Sequence, residues 1–120
     1  TFSPGIGYYP PCILILCVDK ERAFQKGGAM GRDQLSVFDI AMAAENIMLS
    51  AVDFGLGTCA VRSFSSLILQ KLLKLPEHIV PELMVTLGYP ARDSKKPPKR
   101  PVSELLHFNG WGDRDAEEVV

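Results

Sequence analysis

The pattern of apolar positions predicts three strands along the chain. Residues 12–18 (CILILCV) form an uninterrupted apolar run between prolines and Asp19, which is typical of a strand covered on both faces. We therefore expect this strand in the centre of a sheet. Shorter apolar runs predict a strand at 58–61 and another at 82–87, the last one ending at the turn residues 88–90.

The longest helical pattern runs from about Asp33 to Phe54, with Gly55 as its C-terminal stop. Two apolar stripes follow its surface, so little of its circumference is polar and we expect it to be buried nearly all round. One stripe comprises Leu35, Phe38, Met42, Leu49 and Val52, and the other Ile40, Ala44, Ile47 and Ala51. A chain of 120 residues has little other material to cover such a helix, so we expect a second copy to cover it, where small residues such as Ala44 permit close approach.

The remaining segments predict less structure. A shorter amphipathic helix starts at Ser65 or Ser66 and runs to about Lys74, and a short terminal helix covers residues 102–107. Residues 20–32 are charged and rich in glycine, and we expect mobility there with at most one helical turn. The alternation of strands and helices indicates an α/β pattern in a single domain spanning residues 1–120.

Composition and charge exclude several classes of function. Hydrophobic residues make up 47% and charged residues 22% of the chain, as in an ordinary globular protein. The net charge of -1 supplies no global field that would attract nucleic acid or an anionic membrane. The longest apolar runs are shorter than a bilayer-spanning helix requires and no signal-like segment is evident, so we expect a cytoplasmic protein. Because the chain starts at Thr1 and soon enters an apolar strand, we expect an N-terminal portion upstream, although processing is the alternative.

The cysteines and histidines do not form a metal or disulfide pattern. Three cysteines without a C-x-x-C pair give neither a disulfide framework nor a zinc knuckle. Cys12 and Cys17 lie on one predicted strand, and we expect both to be buried structural thiols. The two histidines, His78 and His107, stand far apart in different contexts, so we expect no metal site.

The only concentrated charge is a basic tract near the C-terminus, made up of Arg92, Lys95, Lys96, Lys99 and Arg100. Its composition favours a solvated linker over a nucleic-acid patch or a site for one phosphate, which an arginine could bind with two hydrogen bonds. The chain has no Walker loop, no G-x-S-x-G and no complete G-x-G-x-x-G motif.

An ordered set of segments resembles the nitroreductase family. Residues 39–59 (DIAMAAENIMLSAVDFGLGTC) resemble the family's central helix and the Gly-Leu-Gly-Thr-Cys turn that follows it. Further matches follow in the family's order and spacing: Ser63-Phe64, Leu75-Pro76-Glu77, Leu87-Gly88-Tyr89-Pro90, and Lys99-Arg100-Pro101 followed by Glu104 and His107. Residues 12–19 resemble the strand that precedes the central helix.

The resemblance implies an α+β fold, an α/β sandwich with a central sheet flanked by helices. It also implies a homodimer formed through the long helix at 33–54, with FMN at the interface. In such proteins NAD(P)H gives a hydride to the flavin, which then reduces a small acceptor such as a nitroaromatic or a quinone. No side chain needs to act as a catalytic acid, so we assign no catalytic residue.

The resemblance also implies the residues that hold the cofactor. By register, backbone N–H groups of Ala60, Val61, Arg62 and Ser63 address flavin N5 and O4, where donors stabilise charge on the reduced ring. Lys99 and Arg100 map to the basic pair that contacts the FMN phosphate.

Two features depart from the family. Arg62 stands where relatives often have glycine or glutamate. It is either a cation near N5 that favours the reduced flavin or a surface arginine paired with a carboxylate. The family's N-terminal arginine-rich segment has no counterpart here. The alternative function is therefore a truncated module without catalysis that acts as a flavin-binding or scaffold subunit.

Overall fold

The computed structural model describes residues 9–91 and 96–114, which form an α+β fold. In chain order the elements are β1 (Cys12–Asp19), α1 (Lys20–Met30), a π-helical turn (Gly31–Leu35), α2 (Ser36–Asp53), β2 (Gly57–Val61), α3 (Ser66–Leu72), β3 (Ile79–Gly88) and α4 (Val102–Leu105). The three predicted strands and the three predicted helices are all present, with some boundaries shifted by several residues. Residues 1–11 were expected to form a loop, and most of them lie outside the described residues.

The three strands form one antiparallel sheet in the order β1-β3-β2. One expectation is wrong here. β1 lies at an edge of the described sheet and β3 occupies the middle. The apolar run of β1 does not reflect cover on both faces, since Ile13 and Leu14 are partly exposed. Each described pairing is antiparallel, which agrees with the α+β class that the resemblance implies.

A β-bulge interrupts the middle strand at a proline. Leu16 pairs with Leu83 and Cys17 pairs with Pro81, so Glu82 is the extra residue on β3. Proline lacks the N–H group that a ladder hydrogen bond needs, and a bulge is one of the few places where a sheet tolerates it. The bulge therefore explains how a proline fits inside the central strand.

The segment 20–32 is helical, which corrects the expectation of a mobile stretch. Asp19 caps α1 by accepting a hydrogen bond from the Arg22 backbone N–H at 2.9 Å. Gly28 then leaves the helical conformation with φ of 59° and ψ of -152°, and the chain bends back so that Gly31 packs against the backbone of Ala23. Few apolar residues mark this helix, so hydrophobic periodicity could not reveal it.

Helix α2 carries its two apolar stripes as the sequence predicts, and they have different environments. The stripe that contains Ala44 and Ala51 packs on the sheet, where Ala44 is 3% exposed. The other stripe faces outward, with Phe38 62% and Met42 59% exposed. Ala44 is therefore a core residue of its own chain. This corrects the expectation, based on its small size, that it contacts a second copy.

Gly55 is the C-terminal stop of α2, as the sequence predicts, and the structure shows that the cap is a Schellman motif. Gly55 has φ of 66°, its N–H donates to the Val52 carbonyl at 2.9 Å, and the Leu56 N–H donates to the Ala51 carbonyl at 2.9 Å. This geometry requires the left-handed conformation that glycine adopts at little cost. The motif turns the chain directly from α2 into β2.

The helical run Lys20–Asp53 contains a window that is long and apolar enough to cross a membrane, by length and composition only. The window was not expected, because charged and polar residues interrupt its apolar positions. Length and composition are weak indicators, and the run is broken at Gly28. One stripe of α2 packs on all three strands and belongs to the core of the chain.

The core of the described residues is small. Its buried hydrophobic side chains are Val18, Ala44, Ala51, Val61, Met84 and Val85. The radius of gyration of the Cα atoms is 18.8 Å, whereas a compact chain of this length has a radius of gyration of about 14 Å. Much apolar surface therefore stays uncovered by the chain itself.

The corner at Gly31 yields a stability prediction. A Cβ atom at residue 31 would lie 2.6 Å from the Ala23 carbonyl oxygen, whereas a Cβ atom at Gly27 would meet nothing within 4 Å. We expect Gly31→Ala to lower the free energy of unfolding by about 1–3 kcal/mol. Gly27→Ala should leave it unchanged or raise it by up to about 1 kcal/mol, since alanine favours helix. Urea unfolding followed by circular dichroism measures both, and equal effects would contradict the described packing at Gly31.

Candidate functional site

The predicted cofactor segment begins on an open strand edge. Within the described residues β2 pairs only with β3, so its other edge has no strand beside it. In an antiparallel pair alternate residues direct their backbone N–H and C=O groups away from the partner strand. The Val61 side chain is buried against the core, while Ala60 is exposed. The open edge of β2 can therefore offer backbone donors to a ligand.

A tight turn after β2 positions the rest of this segment. The Phe64 N–H donates to the Arg62 carbonyl at 2.8 Å, which closes a three-residue turn centred on Ser63. Ser65 then caps α3 by accepting from the Ile68 N–H at 3.4 Å. The Ser66 hydroxyl donates to the Pro81 carbonyl at 2.7 Å, which fixes the start of α3 to the middle strand. The turn is thus held at both ends.

An ion cluster lies beside this turn, and we call Lys20, Arg62 and Glu82 the Glu82 cluster. One oxygen of Glu82, Oε1, lies 3.0 Å from Lys20 Nζ, and the other, Oε2, lies 3.3 Å from Arg62 Nη2. The guanidinium of Arg62 also lies over the ring of Phe64, 5.1 Å from its centre. The Glu82 cluster therefore links the end of β1, the middle strand and the end of β2.

The contacts of Arg62 match one of the two interpretations of this residue. Glu82 is the carboxylate partner that the surface-arginine interpretation required. The direction of its backbone N–H relative to a flavin stays a prediction. The sequence prediction did not include Glu82 among the site residues. A signal was present in Pro81, just before the predicted strand at 82–87. Prolines in strands mark bulges, and bulges redirect side chains.

The predicted phosphate ligands lie on a separate segment. Lys99 and Arg100 are exposed, precede α4, and join no ion pair within the described part of the chain. Arg92 and Lys95 of the basic tract lie outside the described residues. No described hydrogen bond or ion pair links Lys99 or Arg100 to the turn after β2.

The segment after α4 folds locally. His107 stacks on Trp111 with ring centres 4.2 Å apart, and the Gly112 N–H donates to His107 Nδ1 at 2.8 Å. The Arg114 guanidinium donates to the Ser103 carbonyl at 2.6 Å. These contacts hold the short terminal helix and the residues that follow it together.

The cysteines only partly match their prediction. Cys12 is exposed, which corrects the expectation of a buried thiol, because β1 lies at the edge of the described sheet and the first part of the strand has little cover. Cys17 is partly buried, and burial raises the pKa of its thiol. Such a thiol forms its reactive thiolate less readily, in keeping with a structural role.

A cavity of about 550 Å³ lies next to α1, lined by Lys20, Glu21, Phe24, Gln25, Arg32, Glu77 and His78. It contains none of the predicted cofactor residues. On its wall Arg32 pairs with Asp33 through two hydrogen bonds of 2.7 and 2.8 Å and lies over the Phe24 ring, 5.5 Å from its centre. The hydrogen bonding to Arg32 lowers the pKa of Asp33 and raises that of the guanidinium.

Comparison with known proteins identifies similar sequences. A model of the nitroreductase family matches residues 5–89. A Cr(VI) reductase of Pseudomonas sp. (strain G-1) is 30% identical over 118 residues, which covers 88% of this chain and 48% of that protein. An NADPH-dependent FMN reductase of Bacillus subtilis (strain 168) is 31% identical over 79 residues, which covers 64% of this chain and 32% of that protein. The chain spans about half the length or less of these relatives.

A solved structure shows the same fold. The NfrA1 protein of B. megaterium superposes with a TM-score of 0.67 at 28% sequence identity, covering 82% of this chain and 45% of that protein. The fold predicted from the resemblance is thereby confirmed.

The contacts of Glu82 predict its effect on stability. Glu82→Gln removes the negative charge that two cations share and leaves the partly buried Lys20 without an ionised carboxylate beside it. We expect the free energy of unfolding to fall by about 1–2 kcal/mol, between the values for exposed and buried pairs. Glu77→Gln is the matched control, since Glu77 is exposed and joins no described ion pair. If urea unfolding gives the two variants equal midpoints, the Glu82 cluster does not stabilise the fold.

Proposed function

This chain belongs to the nitroreductase family, and from that premise we propose that it forms part of an FMN-dependent oxidoreductase. The proposed reaction transfers a hydride from NAD(P)H through the flavin to a small acceptor such as a nitroaromatic or a quinone. The names of two similar proteins, a Cr(VI) reductase and an NADPH-dependent FMN reductase, support this class of activity. The proposed location is the cytoplasm.

The open edge of β2 is the observation that carries this proposal. Strand β2 begins directly after the Schellman motif at Gly55 and continues through Ala60 and Val61 into the turn at Arg62 and Ser63. We propose that this stretch lies beside the flavin and that those of its backbone N–H groups that point away from β3 face flavin N5 and O4. Fixed donors at these atoms favour the negative charge that the ring gains on reduction. The chain's own role is to orient the ring, so no side chain is assigned as a catalytic acid.

The phosphate of FMN is assigned to Lys99 and Arg100. Both side chains are exposed and carry no described carboxylate partner, so their charges are available to a ligand. An arginine can grip a phosphate with two parallel hydrogen bonds, while a lysine supplies a point charge. In this proposal one FMN molecule contacts two segments of the chain. Its ring lies at the turn after β2 and its phosphate lies at the residues before α4.

We propose that a second copy of the chain covers the outer stripe of α2, within the predicted interface at 33–54. This stripe exposes large apolar side chains, among them Phe38, Met42, Leu49 and Val52. Contiguous exposed apolar surface of this kind marks a protein interface. Association would bury the surface that the small core leaves open.

Binding of FMN tests the proposed function. The purified chain, with FMN added and the excess removed, should keep flavin absorption and should oxidise NAD(P)H when an acceptor is present. A preparation that stays colourless supports the alternative of a module without catalysis that acts as a scaffold subunit. Retained FMN without oxidation of NAD(P)H supports a flavin-binding module instead.

The same binding measurement tests the phosphate assignment. Arg100→Ala should weaken FMN binding by about tenfold, the size expected for one charge-assisted contact, and leave riboflavin binding nearly unchanged. Lys96→Ala removes a charge from the same segment at a position outside the assigned pair and serves as the control. If Arg100→Ala weakens the binding of FMN and of riboflavin equally, the variant has a folding defect. If Arg100→Ala and Lys96→Ala weaken FMN binding equally, the net charge of the tract and not a specific contact determines the affinity.

The outer stripe of α2 predicts how substitutions within it change self-association of the chain. Met42→Glu places a charge in the proposed interface, and we expect dimerisation to weaken by at least about tenfold, because the charge loses water without gaining a partner. Sedimentation velocity measures this. Gln25→Glu adds the same charge on exposed α1 and should not change association, while Ala44→Glu should unfold the chain instead. A Met42→Glu variant that associates as well as the unaltered chain would place the interface elsewhere.

A further inference from the structure

We propose that the Glu82 cluster makes this site prefer a small anionic acceptor over a neutral one, with Arg62 as the residue that binds the negative charge. The inference rests on the proposed function, since it takes the turn after β2 to lie beside the flavin. The acceptor is thereby narrowed to a carboxylate or oxyanion compound.

In the Glu82 cluster the guanidinium of Arg62 is more exposed to solvent than the carboxylate of Glu82. The side chain of Glu82 is 14% exposed, whereas that of Arg62 is 55% exposed. Both carboxylate oxygens of Glu82 already contact a cation, one at Lys20 and one at Arg62. With two positive charges and one negative charge, the Glu82 cluster keeps an excess of one positive charge. An approaching anion therefore meets the guanidinium and not the carboxylate.

The guanidinium of Arg62 is also oriented before any ligand arrives. Glu82 fixes it from one side at 3.3 Å, and the ring of Phe64 lies beneath it at 5.1 Å. A guanidinium has five N–H donors, and the described hydrogen bond uses only one, at Nη2. A side chain that is already held loses less conformational entropy when it binds a ligand. The remaining donors can thus bind a carboxylate without a large ordering cost.

Arg32 shows that the same contacts occur at a second place in the chain. It too pairs with a carboxylate and lies over a phenylalanine ring, at Asp33 and Phe24. Its side chain lies at the corner between α1 and α2 and not at the end of β2. Its backbone carbonyl accepts a hydrogen bond from Lys20 Nζ at 3.1 Å, and substitution of the side chain retains this acceptor. Substitution of Arg32 therefore changes the net charge of the chain equally and leaves the turn after β2 intact, which makes it a matched control.

The test compares the binding of 4-nitrobenzoate with that of its neutral analogue 4-nitrobenzamide, by calorimetry at low salt with FMN present and absent. The unaltered chain should bind 4-nitrobenzoate about fivefold more tightly, the size expected for a partly exposed charge pair, and added salt should reduce the difference. Arg62→Gln should abolish the preference, and Arg62→Lys should retain part of it. Arg32→Gln should leave it unchanged.

Several results would overturn the inference. One is equal affinity for the two compounds, and another is no binding of either. A preference that survives in Arg62→Gln, or equal losses in Arg62→Gln and Arg32→Gln, would also overturn it. If the preference survives and Arg62→Gln selectively loses NADPH binding while it keeps NADH binding, Arg62 serves the phosphate of the donor instead. Failure of the proposed function has a different signature, which is the absence of bound flavin and of NAD(P)H oxidation while the preference for 4-nitrobenzoate persists in the measurement made without FMN.

Discussion

The proline inside the central strand is the constraint on which the site depends. Pro81 cannot donate to the ladder, so β3 carries a bulge there and Glu82 becomes the extra residue. The bulge directs the Glu82 carboxylate toward cations at the ends of both neighbouring strands, Lys20 after β1 and Arg62 after β2. The same proline offers its carbonyl to the Ser66 hydroxyl and so anchors α3. One backbone irregularity thus sets the position of the turn that the family resemblance places beside the cofactor.

The division of α2 into two apolar stripes explains how a short chain supports so long an apolar helix. The inner stripe uses small side chains, so the helix lies close to the sheet, and alanines at 44 and 51 are almost fully buried. The outer stripe uses large side chains that this chain does not cover. Hydrophobic burial is the main favourable term in folding. The outer stripe of α2 contributes little to this term within the chain itself.

The sequence predicted the elements whose signals are local and missed features that depend on tertiary context. The glycine after α2 and the apolar runs of β2 and β3 are signals within a few residues, and these elements were found, although β3 begins three residues earlier than predicted. The apolar run of β1 could not distinguish an edge strand from a central one, because pairing order is not encoded in a single run. Helix α1 is stabilised by the cap at Asp19 and by packing at Gly31, neither of which creates periodicity. For the site, the cofactor residues came from family resemblance alone, and Glu82 could have been inferred from the neighbouring proline.

The Schellman motif at Gly55 joins the outer stripe of α2 to the open edge of β2 without a flexible linker, since two backbone hydrogen bonds fix the angle between helix and strand. If a second copy binds the helix and a flavin binds the strand, the two events act on one rigid unit. If that flavin also contacts the second copy, as the resemblance implies, ligand binding and association are thermodynamically linked, and each strengthens the other by the same factor. Cofactor affinity would consequently rise with protein concentration, so that dilution alone could release the flavin.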